Sequence, residues 1–316
     1  MLYLKDTALH TILPISEMIE AIEDALKEVA LGRGYELPRR RIHHQNRMIF
    51  GLLPGSVHGA MGAYLQTDLD RRLHHESVIL FSVETGEPLI LFQNCSINEL
   101  RTGAAGGIGA KHLAREDASR VAVLGSAVHA EMQLKAVAAV RRLTAVAVFS
   151  PTANHRADFA KKMSRELQLE VKVASSAEQA TDGADVALMA TSSKTPILAA
   201  SRWQEGIHIT SIANGDKTRP RQEIDEATIG RADRVFVTSK ETVRANESDI
   251  FRAARAGVVA WDDVHEISSL LLGKVDGRTD DKQMTLFKLQ GTGIMDVAVG
   301  LRAYQALKDS KLVQRL

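Results

Sequence analysis

Arg120-Val-Ala-Val-Leu-Gly-Ser-Ala-Val-His129 is the stretch of sequence that decides the predicted fold. Its four apolar residues, 121–124, predict a short buried strand, Gly125 ends that strand, and residues 130–143 predict a helix. A strand, a tight glycine turn and a helix are typical of dinucleotide-binding proteins. The N-terminus of such a helix offers unpaired N–H groups and a partial positive charge to a pyrophosphate.

The glycine pattern of this turn departs from the usual fingerprint, G-x-G-x-x-G/A. Gly125, Ala127 and Ala130 occupy its three positions, so that alanine replaces the middle glycine. This alanine adds a methyl group where the backbone normally approaches a phosphate closely. The turn alone is therefore weak support for a dinucleotide site.

Predicted strands and helices alternate along the chain from Ser119 onward. Short apolar runs predict six strands, at residues 121–124, 145–149, 171–174, 186–190, 207–212 and 235–238. Helical runs such as residues 130–143 and 154–167 lie between them. This alternation predicts an α/β fold with a Rossmann-type, doubly wound parallel sheet, and it strengthens the prediction of a dinucleotide site.

The end of the second of these strands indicates which dinucleotide binds. A site for NAD usually has Asp or Glu there, which accepts hydrogen bonds from the ribose. In this chain Ser150 stands at that place, followed by Thr152 and Arg156, and a hydroxyl with a nearby guanidinium suits a 2′-phosphate. The sequence favours NADP over NAD, with helix capping by Ser150 and Thr152 as the alternative interpretation.

Composition limits the classes of protein to which the chain can belong. Its 316 residues have room for about two domains. The net charge of +1 gives no electrostatic reason to expect nucleic-acid or membrane binding. The single cysteine, Cys95, excludes an intrachain disulfide. No stretch resembles a signal peptide or a membrane span, and a cytoplasmic protein is expected.

The part of the chain before this alternation predicts an α+β domain. Residues 15–31 carry apolar side chains at helical spacing, and short apolar runs between residues 48 and 92 predict a mostly antiparallel sheet. Residues 68–76 are polar, which is typical of an exposed loop or of the lining of a pocket. Arg39, Arg40 and Arg41 follow a proline and form either a solvated turn or a clamp for a substrate carboxylate.

Residues 98–113 predict a helix that is rich in glycine and alanine. The small residues 103–107 lower its helix propensity, which a chain tolerates where something must approach the backbone closely. A neighbouring helix, a partner subunit or a cofactor would explain them. Arg101 and Thr102 lie at the polar start of this helix, where an anion would be favoured.

Two further segments contribute to the predicted site and fold. The loop that begins at residue 213 leaves the carboxyl end of a predicted strand, where open α/β sheets bind their ligands. Its Asp216 is either an ordinary turn residue or an acid/base group that faces the substrate. Near the C-terminus, residues 284–287 predict a strand, and a helix to about residue 307 is expected to pack back onto the first domain.

Several separate motifs resemble those of the ornithine cyclodeaminase and mu-crystallin family. They extend over nearly the whole chain, and their order and spacing match that family. The motifs are Glu84-Thr-Gly-Glu-Pro-Leu, Arg101-Thr-Gly-Ala-Ala-Gly, Val-Leu-Gly-Ser-Ala-Val-His-Ala at residues 123–130, Asn214-Gly-Asp216, Glu223-Ile-Asp225 and Gly291-Thr-Gly-Ile-Met-Asp296.

The resemblance implies a homodimer of two-domain subunits. Residues 1–115 with 294–316 would form a substrate-binding and dimerisation domain, and residues 116–293 a dinucleotide-binding domain for NADP or NAD. Activities of the family include ornithine cyclodeamination, alanine dehydrogenation and the reduction of imines or ketimines. Each moves a hydride between nicotinamide and the carbon that bears an amino or imino group.

Carried over by position, the resemblance also implies roles for individual residues. Arg40, or Arg39 in the neighbouring register, would hold the substrate carboxylate with Arg101, and Asp216 would be the acid/base. The dinucleotide would contact Thr102, Gly125, Ser126, Ala127, Val128 and His129, and its adenosine end Ser150, Thr152 and Arg156. A metal is not implied.

Three departures from the family pattern concern the site. Tyr64 stands where the family usually has a substrate-contacting lysine, and it can donate a hydrogen bond or act as an acid but carries no positive charge. Glu76 adds a carboxylate where many members have glutamine, and Ala127 replaces a glycine. We expect Tyr64 and His75 to tune the reacting nitrogen, and the departures argue against ornithine as the substrate.

Three functions fit these observations. The first is an NAD(P)-dependent oxidoreductase that acts on a small amino or imino acid. The second is a redox-neutral cyclodeaminase, which the loss of the lysine disfavours. The third is a binding protein that holds NADP and a small ligand without turnover. A metal site that draws on the pairs His43-His44 and His74-His75 is geometrically possible but has no second shell to support it.

Overall fold

The structure is a computed structural model that describes residues 1–45, 48–69, 73–214 and 221–316. The chain divides into two compact units. The first unit contains Met1–Arg101 together with Gly291–Leu316, and the second contains Thr102–Gln290. The boundary lies inside one continuous helix, so that Arg101 and Thr102 belong to different units.

The described residues form the following helices and strands. The helices are α1 Ile15–Ala30, α2 Ile97–Leu113, α3 Val128–Val140, α4 Ala153–Leu167, α5 Ala177–Thr181, α6 Glu226–Arg231, α7 Lys240–Ala245, α8 Asp249–Arg255, α9 Ile267–Leu271 and α10 Gly293–Leu307, with 3₁₀ turns at Leu9–Thr11, Ala200–Arg202 and Trp261–Asp263. The strands are β1 Leu2–Lys5, β2 Tyr35–Glu36, β3 Arg40–His44, β4 Met48–Val57, β5 Ala60–Leu69, β6 Leu73–Ser82, β7 Pro88–Gln93, β8 Arg120–Leu124, β9 Ala145–Phe149, β10 Val171–Val173, β11 Val186–Met189, β12 His208–Ser211, β13 Arg234–Val237, β14 Val264–Glu266, β15 Thr285–Lys288 and β16 Gln314–Arg315.

The first unit is built on a mostly antiparallel sheet, as the sequence predicts. Its strand order is β16-β1-β7-β6-β5-β4-β2, with β3 paired to β4, and only the β1–β7 pair is parallel. Side chains on alternate positions of β4, such as Ile49 and Leu53, are buried. Helix α10 packs on β4, β5 and β6 and also against α1, so the C-terminal helix covers the sheet formed by the N-terminal part of the chain.

The opposite face of this sheet carries exposed apolar side chains. Ile42 and Phe50 lie opposite each other on β3 and β4, and they are 66% and 38% exposed. Met61, on β5, is 43% exposed. A sheet face of this kind on a single chain is typical of a surface that a partner covers.

The second unit contains the doubly wound sheet that the sequence predicts. Its strand order is β10-β9-β8-β11-β12-β15-β13-β14, and every pair is parallel. The six strands predicted from Ser119 onward are all present, and β15 and β14 extend the sheet to eight strands. Along β8, Val121 and Val123 join one apolar core while Ala122 and Leu124 join the other, because both faces of a parallel sheet are buried.

The small residues of α2 let a neighbouring helix approach closely. A Cβ atom on Gly103 would lie 2.5 Å from the Met132 Cβ of α3, and one on Gly106 would lie 2.9 Å from the Gln133 Oε1. Packing against α3 therefore explains these glycines, which is the first of the three explanations that the sequence left open.

A buried polar network fixes the residues at the carboxyl ends of β12 and β15. The Lys288 ammonium donates to the Asp249 Oδ2 at 2.8 Å, the Ala213 carbonyl at 2.7 Å and the Ser211 hydroxyl at 3.0 Å. Glu223 accepts from the Ser211 hydroxyl at 2.8 Å and the Ala213 N–H at 2.9 Å. Both ends of the segment from 213 to 223 are thus attached to the sheet.

We expect Lys288→Met to lower the free energy of unfolding by about 3–5 kcal/mol, because it leaves the buried Asp249 carboxylate without its cation. Methionine also cannot donate to Ser211 or Ala213. Urea denaturation measures the change. The control is Arg302→Met, which breaks an exposed ion pair with Glu17 and should cost less than about 1 kcal/mol. Equal losses in both variants would contradict a stabilising role for the network.

Candidate active site

The turn after β8 has a tight backbone that requires glycine at position 125. Gly125 has a φ of 122°, and a Cβ atom there would lie 2.2 Å from the Ala190 carbonyl oxygen. Its N–H donates to the Phe149 carbonyl at 2.9 Å. Only glycine fits this backbone, since both the conformation and the close contact exclude a side chain.

Helix α3 begins directly after this turn. Ala127 is its N-cap residue, is exposed, and makes no side-chain capping bond to the first turn. Val128 and His129, which follow, are half-buried. An uncapped helix start beside a glycine turn fits the phosphates of a dinucleotide.

The adenosine-side candidates lie together at the end of β9. The Ser126 hydroxyl donates to the Ser150 Oγ at 2.9 Å, which joins the glycine turn to the next strand. The Arg156 guanidinium donates to the Ser150 carbonyl at 2.7 Å and lies 5.6 Å from the centre of the Phe149 ring. Thr152 is exposed and is the N-cap residue of α4, but its side chain makes no capping bond.

In the first unit, Arg101 is held by a buried carboxylate. Its Nε donates to the Asp296 Oδ1 at 3.1 Å, and the two residues are 4% and 0% exposed. A Cβ atom on Gly291 would lie 2.3 Å from the guanidinium. Glycine at 291 therefore leaves the space that the Arg101 side chain fills.

Arg39, and not Arg40, stands with Arg101. The charges of Arg101 and Asp296 act on Arg39, and burial together with the charges of Arg41 and Arg101 lowers the pKa of Arg39 to about 10. Arg39 therefore remains protonated at neutral pH. Arg40 is exposed, so of the two registers that the sequence leaves open the structure favours Arg39 over Arg40 as the clamp residue. Consecutive residues of an extended chain point to opposite sides, so only one of the two can face the site.

Asp296 combines full burial with an unused acceptor. Among the described residues its Oδ2 has no hydrogen-bond partner. Burial raises the pKa of Asp296 to about 6, although the nearby Arg101 and Arg39 cations lower it. Desolvation of this carboxylate therefore outweighs its attraction to the two guanidiniums.

Tyr64 is also part of this group, which we call the arginine cluster: Arg39, Arg101, Asp296, Tyr64 and Glu76. Tyr64 is 1% exposed, and its hydroxyl donates to the Glu76 Oε2 at 3.0 Å. Burial and the Glu76 charge raise the pKa of Tyr64 well above its ordinary value. The phenol therefore keeps its proton at every physiological pH.

His74, and not His75, borders the arginine cluster. The His74 Nε2 lies 3.8 Å from the Glu76 Oε2, and this contact raises the pKa of His74. His75 is exposed and lies on the other face of β6, because successive residues of a strand alternate. The structure therefore favours His74 over His75 as the histidine near the site, and the role expected of His75 stays a prediction. Glu99 also faces Glu76, and burial raises the pKa of Glu99.

Asp216 lies outside the described residues, so its role stays a prediction. The residues that flank it are fixed. The Asn214 side-chain amide donates to the Ile212 carbonyl at 2.9 Å and to the Leu289 carbonyl at 2.8 Å. Thr102, another predicted dinucleotide contact, is 3% exposed in α2 of the second unit.

The sequence analysis assigned no role to Asp296, to the contact between Tyr64 and Glu76, or to Lys288. The sequence does contain one signal that Asp296 is functional. Asp296 is the one charged residue in the apolar stretch Ile-Met-Asp-Val-Ala-Val at the start of α10. Among the described residues, no group of three or more His, Cys, Asp and Glu side chains is arranged to hold a metal ion. No helix within the described ranges is long and apolar enough to cross a membrane.

The fold and the site define an α/β protein with a Rossmann-type sheet, a pyrophosphate-type turn and a separate α+β unit that contains buried guanidiniums. Residues 1–311 match the model of the ornithine cyclodeaminase/mu-crystallin family. The chain belongs to this family, which confirms the resemblance seen in the sequence.

Known members similar to this chain include enzymes of amino and imino acids. A Δ1-pyrroline-2-carboxylate reductase of Bacillus cereus is 30% identical over 241 residues, which are 76% of this chain and 73% of that protein. The structure of the Thermococcus litoralis Δ1-pyrroline-2-carboxylate reductase in complex with NADH and L-proline is 28% identical, covers 100% of both chains and has a TM-score of 0.92. An archaeal alanine dehydrogenase dimer with bound NAD is 28% identical over 96% of this chain and 95% of that chain, with a TM-score of 0.88.

The raised pKa of Asp296 predicts how stability depends on pH. A carboxyl with a higher pKa in the folded protein favours folding while it is protonated. For Asp296 this contribution is complete below about pH 4 and is lost as the pH rises through about 6. The wild-type protein should lose on the order of 2–3 kcal/mol from this group over that range.

We expect Asp296→Asn to lack this loss, because asparagine keeps an acceptor for Arg101 but does not titrate. Urea denaturation between pH 4 and 8 measures the change, with the exposed Asp309→Asn as a control that should follow the wild type. A variant at 296 with the pH dependence of the wild type would contradict the assignment.

Proposed function

We propose that this protein is an NAD(P)-dependent oxidoreductase that acts on a small amino or imino acid, as an imine or ketimine reductase or an amino acid dehydrogenase. The observation that carries the proposal is the buried Arg101, held by Asp296, with the half-buried Arg39 close enough for the charges of both to act on it. Two guanidiniums bind a carboxylate through parallel, charge-assisted hydrogen bonds. The names of the relatives, which act on pyrroline-2-carboxylate and alanine, support a substrate with such a carboxylate.

Each residue of the arginine cluster then has a role. Arg39 and Arg101 hold the carboxylate of the substrate. Asp296 fixes the position of Arg101 by accepting a hydrogen bond from its Nε. Tyr64 supplies a protonated hydroxyl to the nitrogen side of the substrate, where a cationic lysine is usual in the family. Asp216 is proposed as the second acid/base group, on the basis of the family motif alone.

The second unit is proposed to hold the dinucleotide. Gly125 and the start of α3, with Ser126, Ala127, Val128 and His129, would bind the pyrophosphate, and Thr102 would contact the same ligand. Ser150, Thr152 and Arg156 would hold the adenosine end. When bound, the nicotinamide accepts or donates the hydride of the reaction.

Adjacent arginines allow a matched test of the carboxylate clamp. We expect Arg39→Met and Arg101→Met each to lower kcat/KM about a hundredfold or more for reduction of Δ1-pyrroline-2-carboxylate or of pyruvate with ammonia. Arg40→Met, which removes an identical but exposed side chain, should change kcat/KM by less than about threefold. Initial rates are followed at the absorbance of NADH or NADPH.

The uncharged amide of the same substrate is the second control. The loss caused by Arg39→Met or Arg101→Met should disappear with it, because the amide lacks the charge that the guanidiniums bind. Equal effects of all three arginine variants would contradict the clamp. Thermal stabilisation by NADPH without turnover of any imino, keto or amino acid would contradict the enzyme and favour a binding protein.

We propose NADP as the preferred dinucleotide, although the relatives with known ligands hold NAD or NADH. Ser150 lacks the carboxylate that would repel a 2′-phosphate, and the Arg156 guanidinium is attached to the same strand end. We expect Ser150→Asp to weaken NADPH binding about a hundredfold while NADH binding is kept or improved. Fluorescence titration measures both, with Ser150→Ala as the neutral control. Equal effects on both cofactors would contradict the proposal.

We also propose a homodimer in the cytoplasm. A second copy would cover the exposed apolar face around Ile42, Phe50 and Met61, which is mostly flat sheet and can pair with itself. The archaeal alanine dehydrogenase relative is a dimer, which supports the same arrangement. The cytoplasmic location follows from the proposed use of a free nicotinamide nucleotide.

A further inference from the structure

Polar side chains form a continuous line on the inner face of β5 and β6. We propose that Tyr64, Glu76 and His74 form a proton path that carries a proton from solvent to the nitrogen of the substrate. The proposal rests on the proposed function, and it adds Glu76 and His74 as residues that act through Tyr64.

This line runs from the interior to the surface through one hydrogen bond and one longer ion-pair contact. Tyr64, at the inner end, is 1% exposed and donates to the Glu76 Oε2 at 3.0 Å. The same Glu76 oxygen lies 3.8 Å from the His74 Nε2. The His74 side chain is 47% exposed and exchanges protons with water. A buried hydroxyl is thereby linked to solvent through one carboxylate.

Strand register explains why these three side chains meet. Residues 74 and 76 are two apart on β6 and point to the same face. In the antiparallel pair, Tyr64 lies opposite Val78 and Gln66 lies opposite Glu76, so Tyr64 and Glu76 are diagonal neighbours on that face. A tyrosine reaches across such a diagonal.

Charged groups from other elements surround the path. Arg39, ahead of β3, and Arg101, on α2, act on Tyr64 from the side where the substrate carboxylate is proposed to bind. Asp296 of α10 faces both Tyr64 and Glu76. Glu99 of α2 and Asp68 of β5 face His74 and favour its cation. The inner end is therefore lined by guanidiniums and the outer end by carboxylates.

This arrangement makes Tyr64 a donor and not a base. With its pKa raised, the phenol carries its proton, and loss of that proton beside Glu76 is disfavoured unless a proton follows from Glu76. Tyr64 and Glu76 are also two of the positions where the sequence departs from the family pattern, and the structure joins them by a hydrogen bond. At position 64 the positive charge of the family's usual lysine is replaced by the tyrosine hydroxyl, to which Glu76 can return a proton.

The proton balance of the proposed step is as follows. When bound, reduced nicotinamide would supply the hydride for the new C–H bond. As the C=N π bond breaks, its electron pair takes the Tyr64 proton to form the N–H bond. The His74 imidazolium gives its proton to the Glu76 carboxylate, which passes it to the Tyr64 oxygen, and His74 regains a proton from solvent. Each group returns to its starting state.

Glu76→Gln and Glu99→Gln are the matched variants, because each neutralises one carboxylate near His74 and Glu76 is the one that accepts from Tyr64. We expect Glu76→Gln to lower kcat about a hundredfold and to raise the solvent deuterium isotope effect, while KM for the carboxylate substrate and the Kd for NADPH change by less than about threefold. Glu99→Gln removes a charge that acts on His74 but breaks no link of the path, so it should lower kcat by less than about threefold and keep the isotope effect close to that of the wild type.

His74→Gln tests the outer end of the path. The His74 side chain is exposed, so we expect this variant to remain folded. In the wild type, kcat should fall as the pH rises through the raised pKa of His74, because the imidazolium supplies the proton. His74→Gln should remove this limb of the pH profile. Thermal unfolding of each variant verifies that it is folded.

The results separate the proton path from the proposed function. A wild-type protein that reduces no imino or keto acid would overturn the proposed function and the path together. A wild-type protein that turns over, with Glu76→Gln and Glu99→Gln alike in kcat and isotope effect, would overturn the path alone. A His74→Gln variant with an unchanged pH profile would also overturn it.

Discussion

A guanidinium that is held by a buried carboxylate is the interaction on which the candidate site depends. Arg101 and Asp296 are 195 residues apart in sequence, yet they meet in the interior of the first unit. Gly291 leaves room for the guanidinium, and α10 brings the carboxylate to it. Desolvation makes the charge of Asp296 costly, so the pair is better suited to fix the direction of Arg101 than to add stability.

The charges around this pair are those that the proposed carboxylic acid substrate would require. The cations of Arg39 and Arg101 act on each other in a largely desolvated environment, which is unfavourable unless anions accompany them. Asp296 and Glu76 supply part of that charge, and a bound carboxylate would supply more. Tyr64 adds a neutral, protonated hydroxyl beside the cations, so the site keeps a proton donor without a third positive side chain.

The second unit meets a different constraint, because a parallel sheet buried on both faces leaves only its strand ends for ligands. Gly125 provides a turn that no other residue could adopt there. At the neighbouring strand ends, Lys288 and Glu223 attach the backbone near residue 213 to the sheet. The described residues on either side of positions 215–220 are therefore attached to the sheet.

The sequence by itself determined the fold class, the glycine turn and the six predicted strands of the parallel sheet, because apolar periodicity and motif spacing are local properties of the chain. Only the tertiary structure favoured Arg39 over Arg40 and His74 over His75 as residues of the candidate site. A shift of one residue in an exposed polar strand exchanges the two faces, and no apolar pattern fixes its register there. The bond between Tyr64 and Glu76 and the pairing of Arg101 with Asp296 were likewise decided by packing, since they join residues that are distant along the chain.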